Sequence, residues 1–359
     1  MKAQIAVLLM VLATVCTPLA AQDTIQISCK PAQLTFFYPL GTGYLKSAEN
    51  CYHFSINILG GVTGQLKGFE AGGLFNINRY GAKGAQFAGL FNIAGAKNPD
   101  IHSANTQFAV MFNLTQKGKS TQFAGIANVG DTAHFQAATY LNIAKHAKCQ
   151  LGYYVNIAQE SHCQIALLVN VTKKGRFQMG LINVRDTVDG VSLGLINIVK
   201  HGGVLEAGIE AGEFVHTALT FRSGVPRLYS TLFLGYNYVD NFWAFGSGPG
   251  TSFKLKGNLG LNLELTYAVL FDKNSGLFDV MAFWRNSLLQ FKSVFNYRFA
   301  KQFKTYVGPT LNILVQANDG GGWFLSPPLE VKIPYKMYNR TLKNSTLNMW
   351  IGVVGGVKF

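Results

Sequence analysis

In the stretch "QIALLVNVT", Gln164 to Thr172, Ile165, Leu167, Val169 and Val171 alternate with Gln164, Ala166, Leu168, Asn170 and Thr172. Successive side chains leave a pleated strand on opposite sides, so this period of two predicts a strand with two unlike faces. "QLGYYVNIA" (150–158) and "QFAGLFNIA" (86–94) repeat the pattern. One face is wholly apolar, and the other reads polar, small, large, polar, small. Polar turns such as "KHAK" and "TKKGR" separate the copies. The copy at Phe177–Val184 is one residue short, as a bulge would make it.

The copies are periodic. Asn128, Asn142, Asn156 and Asn170 stand 14 residues apart, each six residues after a Gln, at Gln122, Gln136, Gln150 and Gln164. The register extends from Asn76 to Asn197, with a degraded copy around Asn57. Two architectures accommodate it. In a β-solenoid each repeat is a full turn that stacks Asn on Asn; in an antiparallel meander each repeat is one strand and one turn. A straight strand of about eight residues covers roughly 25 Å, and the six residues left reach only about 20 Å when extended. That favours the meander. The expected fold is therefore all-β, an antiparallel outer-membrane barrel of roughly 16–20 strands with the repeats in its wall. The alternative is a solenoid repeat domain followed by a C-terminal barrel of about eight strands. In the lead reading the apolar face meets lipid, and Gln122, Asn128, Gln136, Asn142, Gln150, Asn156, Gln164 and Asn170 line a water-filled lumen. Cys149 and Cys163 would then sit at opposite rims, of order 20 Å or more apart, and both are expected as thiols.

After about Gly203 the Asn register fades and the strands lengthen. Residues 227–239, 258–271, 288–300, 303–317 and 345–359 all read as strands with aromatic residues near their ends. "GSGPG" (246–250) lacks the Lys-Ser/Thr of a phosphate loop and reads as glycines packed within a strand. Glu206 and Glu210 share a face with Gly208 and Gly212, and that face must point to the lumen, because charge facing lipid is costly. In the last strand Met349, Ile351, Val353, Val357 and Phe359 share one face. With both termini periplasmic, the long connection 316–344 lies outside as a candidate binding loop. The expected organisation is a signal peptide at 1–21, N-terminal strands at 22–68, repeats at 69–203 and C-terminal barrel strands at 204–359.

Composition supports the all-β reading. Charged residues make up only 13%, while glycine (39) and aromatic residues (27 Phe, 15 Tyr) are abundant. The start, "MKAQIAVLLMVLATVCTPLAAQ", has the form of a secretory leader. Without Lys2 the chain has 30 basic and 17 acidic residues, about +13. For an exported chain this charge points to anionic lipid or lipopolysaccharide and not to nucleic acid. Cys29, Cys51, Cys149 and Cys163 permit two disulfides, with the pairing open. The spacing of His146, Cys149, His162 and Cys163 is not that of a metal finger. No catalytic motif emerges, and neither a cofactor nor an enzymatic activity is expected.

The chain resembles the surface-repeat outer-membrane proteins of Gram-negative bacteria. The resemblance rests on "QLTFFYPLGTG" (33–43), the "FAGLFNIA"-type repeats, "FGSGPGTSFKL" with "NLGLNLELTY", "VGPTLNILV" and the terminal "WIGVVGGVKF". It implies an outer-membrane location and a terminal Phe359 that is part of a signal for the barrel assembly machinery. It carries no defined chemistry. Two functions are expected as alternatives: a passive channel for small solutes, or a surface structural or ligand-binding protein with a blocked lumen.

Overall fold

The computed structural model describes residues 29–98, 100–272, 286–300, 302–317, 331–333, 335, 337–342 and 345–359. The expected leader and most of the 316–344 connection fall outside them. The chain divides into two compact units, one ending at Cys149 and the other beginning at Gln150. Among the described residues, no helix is long and apolar enough to cross a membrane.

The first unit holds β1 (Cys29–Phe37), β2 (Leu40–Gly41), β3 (Cys51–Gly72), β4 (Phe75–Ala88), β5 (Phe91–Ala94), β6 (Ser103–Ala109), β7 (Phe112–Ala124) and β8 (Ala127–Ala138). A disulfide joins Cys29 to Cys51, which are partners in the parallel pairing of β1 with β3. From β3 onward every pairing is parallel and in register with the repeat: Asn76 faces Asn92, Asn92 faces Asn113, and Asn113 faces Asn128. Following β9 (Leu141–Gly152), the second unit continues the pattern through β10 (Val155–Ala166), β11 (Val169–Met179), β12 (Ile182–Arg185), β13 (Val191–Leu193) and β14 (Ile196–Val199). These are solenoid coils, not an antiparallel wall.

Fourteen residues suffice for a full turn because Gln and Asn are not on one straight strand. A two-residue bend stands between them in every coil, at Gly89–Leu90, Gly125–Ile126, Thr139–Tyr140 and Leu167–Leu168 among others. Each coil is thus two arms of four or five residues, each about 15 Å long, and the chain returns easily within 14 residues. The insertion between β5 and β6 exposes this construction, since β5 and β6 pair separately with the two halves of β4 and of β7. At the second corner Gly84 has φ +128°, and a Cβ there would lie 1.8 Å from the Gly68 carbonyl oxygen. Only glycine tolerates that approach.

The coils are polar inside and apolar outside. Phe75, Phe91 and Phe112 stack along one outer face at 5.3 and 4.9 Å. Phe87, Phe108 and Phe123 stack along the other, at 4.8 Å each. The bend residues form an exposed apolar ridge, whereas the opposite corner bears Lys83, Lys119, Lys145, Lys148 and Lys174.

The rest of the second unit is an eight-stranded antiparallel closed barrel. Its strands are β15 (Val204–Gly212), β16 (Thr217–Val225), β17 (Leu228–Asn237), β18 (Phe242–Lys254), β19 (Leu259–Asp272), β20 (Asn286–Arg298), β21 (Lys304–Ala317) and, after the short β22 (Tyr338–Thr341), β23 (Ser345–Lys358). Closure runs through β15 and β23, where Ile209 pairs with Val357. The expected 16–20 strands are thus corrected to eight, because the repeats contribute no wall. "GSGPG" lies inside β18, as the sequence suggested. Strand alternation sends Leu219, Phe295, Val307 and Ile351 outward, each more than half exposed. Arg222, Glu264, Lys292 and Trp350 point inward and are buried.

Candidate functional site

Two interiors hold the polar chemistry. The first is that of the coils, where Gln122, Asn128, Gln136, Asn142, Gln150, Asn156, Gln164 and Asn170 are all fully buried. They fill the coil and do not line a barrel wall. Each amide reaches the equivalent amide one coil away. Asn76 Nδ2 donates to Asn92 Oδ1 (2.9 Å), Asn92 to Asn113 (3.0 Å), Asn113 to Asn128 (3.0 Å) and Asn128 to Asn142 (3.0 Å). In the second unit Asn156 donates to Asn170 (3.0 Å), Asn170 to Asn183 (2.9 Å) and Asn183 to Asn197 (2.8 Å). The same nitrogens also face backbone carbonyls, as Asn128 Nδ2 does Ala137 O at 2.7 Å. Only the nitrogen can satisfy such an acceptor, so the direction of the asparagine ladder is fixed toward the C-terminus.

The glutamine ladder runs the other way. Gln136 Nε2 donates to Gln122 Oε1 (2.8 Å), Gln122 to Gln107 (2.8 Å), Gln107 to Gln86 (3.0 Å) and Gln86 to Glu70 Oε2 (3.2 Å). Gln178 donates to Gln164 (2.9 Å) and Gln164 to Gln150 (2.7 Å). A chain of donors pointing toward the N-terminus must end on an acceptor. Glu70 occupies the glutamine slot of its coil, opposite Gln86, and an ionised carboxylate is acceptor-only. It also takes bonds from Asn57 (3.1 Å) and Asn78 (2.9 Å). Burial pushes its carboxyl above the ordinary 4.5, and these bonds only partly oppose that. At the lysine corner, Asp131 meets Lys145 at 3.0 Å. Partial burial pushes the Asp131 carboxyl up, but Lys145 and the Gly118 N–H more than reverse this, so it sits below its ordinary value.

The second interior is the barrel lumen. The guanidinium of Arg222 grips Glu264 through Nε (2.6 Å) and Nη2 (3.2 Å). Tyr229 Oη donates to Glu264 (2.8 Å) and Tyr306 Oη to Glu210 (3.0 Å). Lys292 pairs with Glu210, while Lys304 and Lys358 pair with Glu206. Glu206 and Glu210 face the lumen as expected, but as members of a buried ion network and not of a solvated wall. Toward the end that carries the longer connections, Phe214, Phe242, Leu270, Leu288, Leu314 and Trp350 form an apolar cluster, with Val331 and Ile333 packed on it.

The sequence reading missed Arg222, Glu264, Lys292 and Lys358. The signal was present: Glu264 in "LNLELTY" and Arg222 in "TALTFRSG" stand between apolar neighbours in alternating strands. Cys149 and Cys163 are thiols, as expected. They are not at opposite rims of an antiparallel wall, however, since Cys163 lies on β10, which pairs in parallel with β11. Phe359 closes the barrel seam, exchanging backbone hydrogen bonds with Ala207 (2.8 and 3.0 Å).

The last coil meets the outer surface of the barrel. Asn197 N–H donates to Ser223 Oγ (3.0 Å) and Asn197 Nδ2 to Ser230 Oγ (2.8 Å). Arg222 and Tyr229 point inward, so their neighbours Ser223 and Ser230 point outward, and both lie beside the short β16–β17 turn. No family model, curated protein or solved structure matches the chain.

Proposed function

We propose that the chain is an outer-membrane anchor of the repeat-bearing type it resembles, a surface structural or ligand-binding protein with a blocked lumen. The observation that carries this reading is the lumen itself. An eight-stranded barrel has an interior just wide enough for side chains to fill, and here ion pairs occupy one part and an apolar cluster the other. That favours a plug over a passive channel for small solutes. The outward apolar belt suits a lipid environment. The connections between β15 and β16, β17 and β18, β19 and β20, and β21 and β23 all leave one end of the barrel; Phe359 and the short β16–β17 turn lie at the other. With Phe359 periplasmic and read by the assembly machinery, the end opposite it would face outward, toward lipopolysaccharide and external ligands.

The test is planar-bilayer recording on the refolded full chain. The expected result is no steady conductance above the lipid background. A stable, stepwise conductance would favour the passive channel instead.

A further inference from the structure

The coils reverse the usual polarity of a water-soluble repeat. Their amides are buried, while Leu167, Leu181 and Leu195 form a ridge in the second unit, and Leu90, Ile126 and Tyr140 form one in the first, at 36–54% exposure. Both arms beside the ridge are also apolar outside, as with Val169 and Val171 on one and Ile165 and Met179 on the other. Large apolar surfaces of this kind need a partner. The opposite corner is charged: Lys173, Lys174 and Arg176 are exposed in a single coil, with Glu160 in the coil before it and Asp186 and Asp189 in the coil after.

We infer that the second unit's coils lie within one leaflet of the membrane that holds the barrel, with the ridge among acyl chains and the charged corner among headgroups. This rests on the membrane reading proposed above. Three observations choose lipid over a protein partner. First, the stack is attached to the outer wall of the barrel through Asn197, Ser223 and Ser230, so it leaves the barrel sideways. Ser223 and Ser230 are each two residues from their strand ends, which is the depth of the short-turn leaflet. Second, the size fits. An arm of about five residues spans about 17 Å, roughly half of the ~30 Å hydrocarbon core. Third, the barrel serines meet part of the last coil's edge, Ser223 taking the Asn197 N–H and Ser230 reaching the Gly194 carbonyl. Unpaired edges are what hydrocarbon excludes. Amphipathic elements that lie in an interface show the same division between an apolar face and a charged one.

Spin-label depth measurement tests this in the full chain, refolded into vesicles of mixed zwitterionic and anionic phospholipid. Cys149 and Cys163 are replaced by Ser, and single cysteines are placed at Leu167, Leu181, Lys174 and, on the barrel belt, Leu219. Each variant is first checked for the heat-modifiable mobility of a folded barrel. Labels at Leu167, Leu181 and Leu219 should relax readily with oxygen and poorly with a water-soluble nickel chelate, with the ratio reversed at Lys174. Chelate access at Leu167 and Leu181, with Leu219 still in lipid, would overturn the inference and leave the barrel reading standing. Chelate access at Leu219 as well would overturn both. Labels at Leu167 and Leu181 shielded from both probes would mean a protein surface covers the ridge, a second copy included, and would also overturn it.

Discussion

Replacing Asn128 by Ala separates a buried amide ladder from a water-facing one. Asn128 Nδ2 serves Ala137 O at 2.7 Å, Asn142 Oδ1 at 3.0 Å and, more weakly, Gln122 O at 3.3 Å. Its own oxygen accepts from Asn113 at 3.0 Å, but Asn113 Nδ2 keeps a second partner in Phe123 O at 2.8 Å. Truncation therefore removes the donor from two well-placed buried acceptors. At about 1–3 kcal/mol for each buried group stripped of a partner, the cost is about 2–6 kcal/mol. A water entering the space left by the amide would move the result toward the lower figure. Urea unfolding in detergent micelles, followed by circular dichroism, gives the difference directly, with Lys148→Ala as the exposed control. A loss below about 0.5 kcal/mol, the size expected of a surface substitution, would refute the dry ladder and return Asn128 to a solvated wall.

Other outcomes follow from the same interiors. Because the folded carboxyl of Glu70 titrates above its ordinary value, the fold is most favoured below about pH 4.5 and loses that contribution as pH rises through the raised value; Glu70→Gln should flatten this part of the pH–melting profile, and an unchanged slope would exclude Glu70 as its source. Cys51→Ser opens a bridge between residues 22 apart, which should cost about 3 kcal/mol and appear as a reduction-insensitive fall in melting temperature. Glu264→Gln removes the nearer of the two carboxylates beside Arg222, leaving Glu210 at 3.5 Å, and should destabilise the barrel by up to about 3–5 kcal/mol, whereas joint replacement by Met at Arg222 and Leu at Glu264 should restore most of it. Heat-modifiable mobility of the three forms decides.

The barrel strands were largely legible. In "STLNMWIGVVGGVKF" alternation separates Ile351, Val353 and Val357 from Trp350, Val354 and Lys358, and the structure exposes the first set and buries the second. The period of the repeats was legible too, but not their course. Six residues from Gln to Asn is an even number, so a straight strand and a bent coil both put the two amides on one side. The clue lay in the large residue four after each Gln: Leu90, Met111, Ile126, Tyr140. A straight pleat would place these bulky groups among the amides, while the structure exposes all four. A large apolar residue recurring in a polar row marks a corner. Charge pairing across the lumen was not legible, since which strands face one another depends on closure, and Glu264 meets an arginine 42 residues away.

The two amide ladders make chain length a heritable variable. Every coil offers its neighbours the same donors on one side and the same acceptors on the other, so a coil duplicated or deleted in frame leaves no amide unmatched. The terminal members differ from the rest: Glu70 receives the glutamine row of the first unit, and Ser230 receives the asparagine row of the second. Within either unit, each added coil lengthens the stack by about 4.8 Å. Unequal recombination between copies could reset its reach without inventing a single new contact.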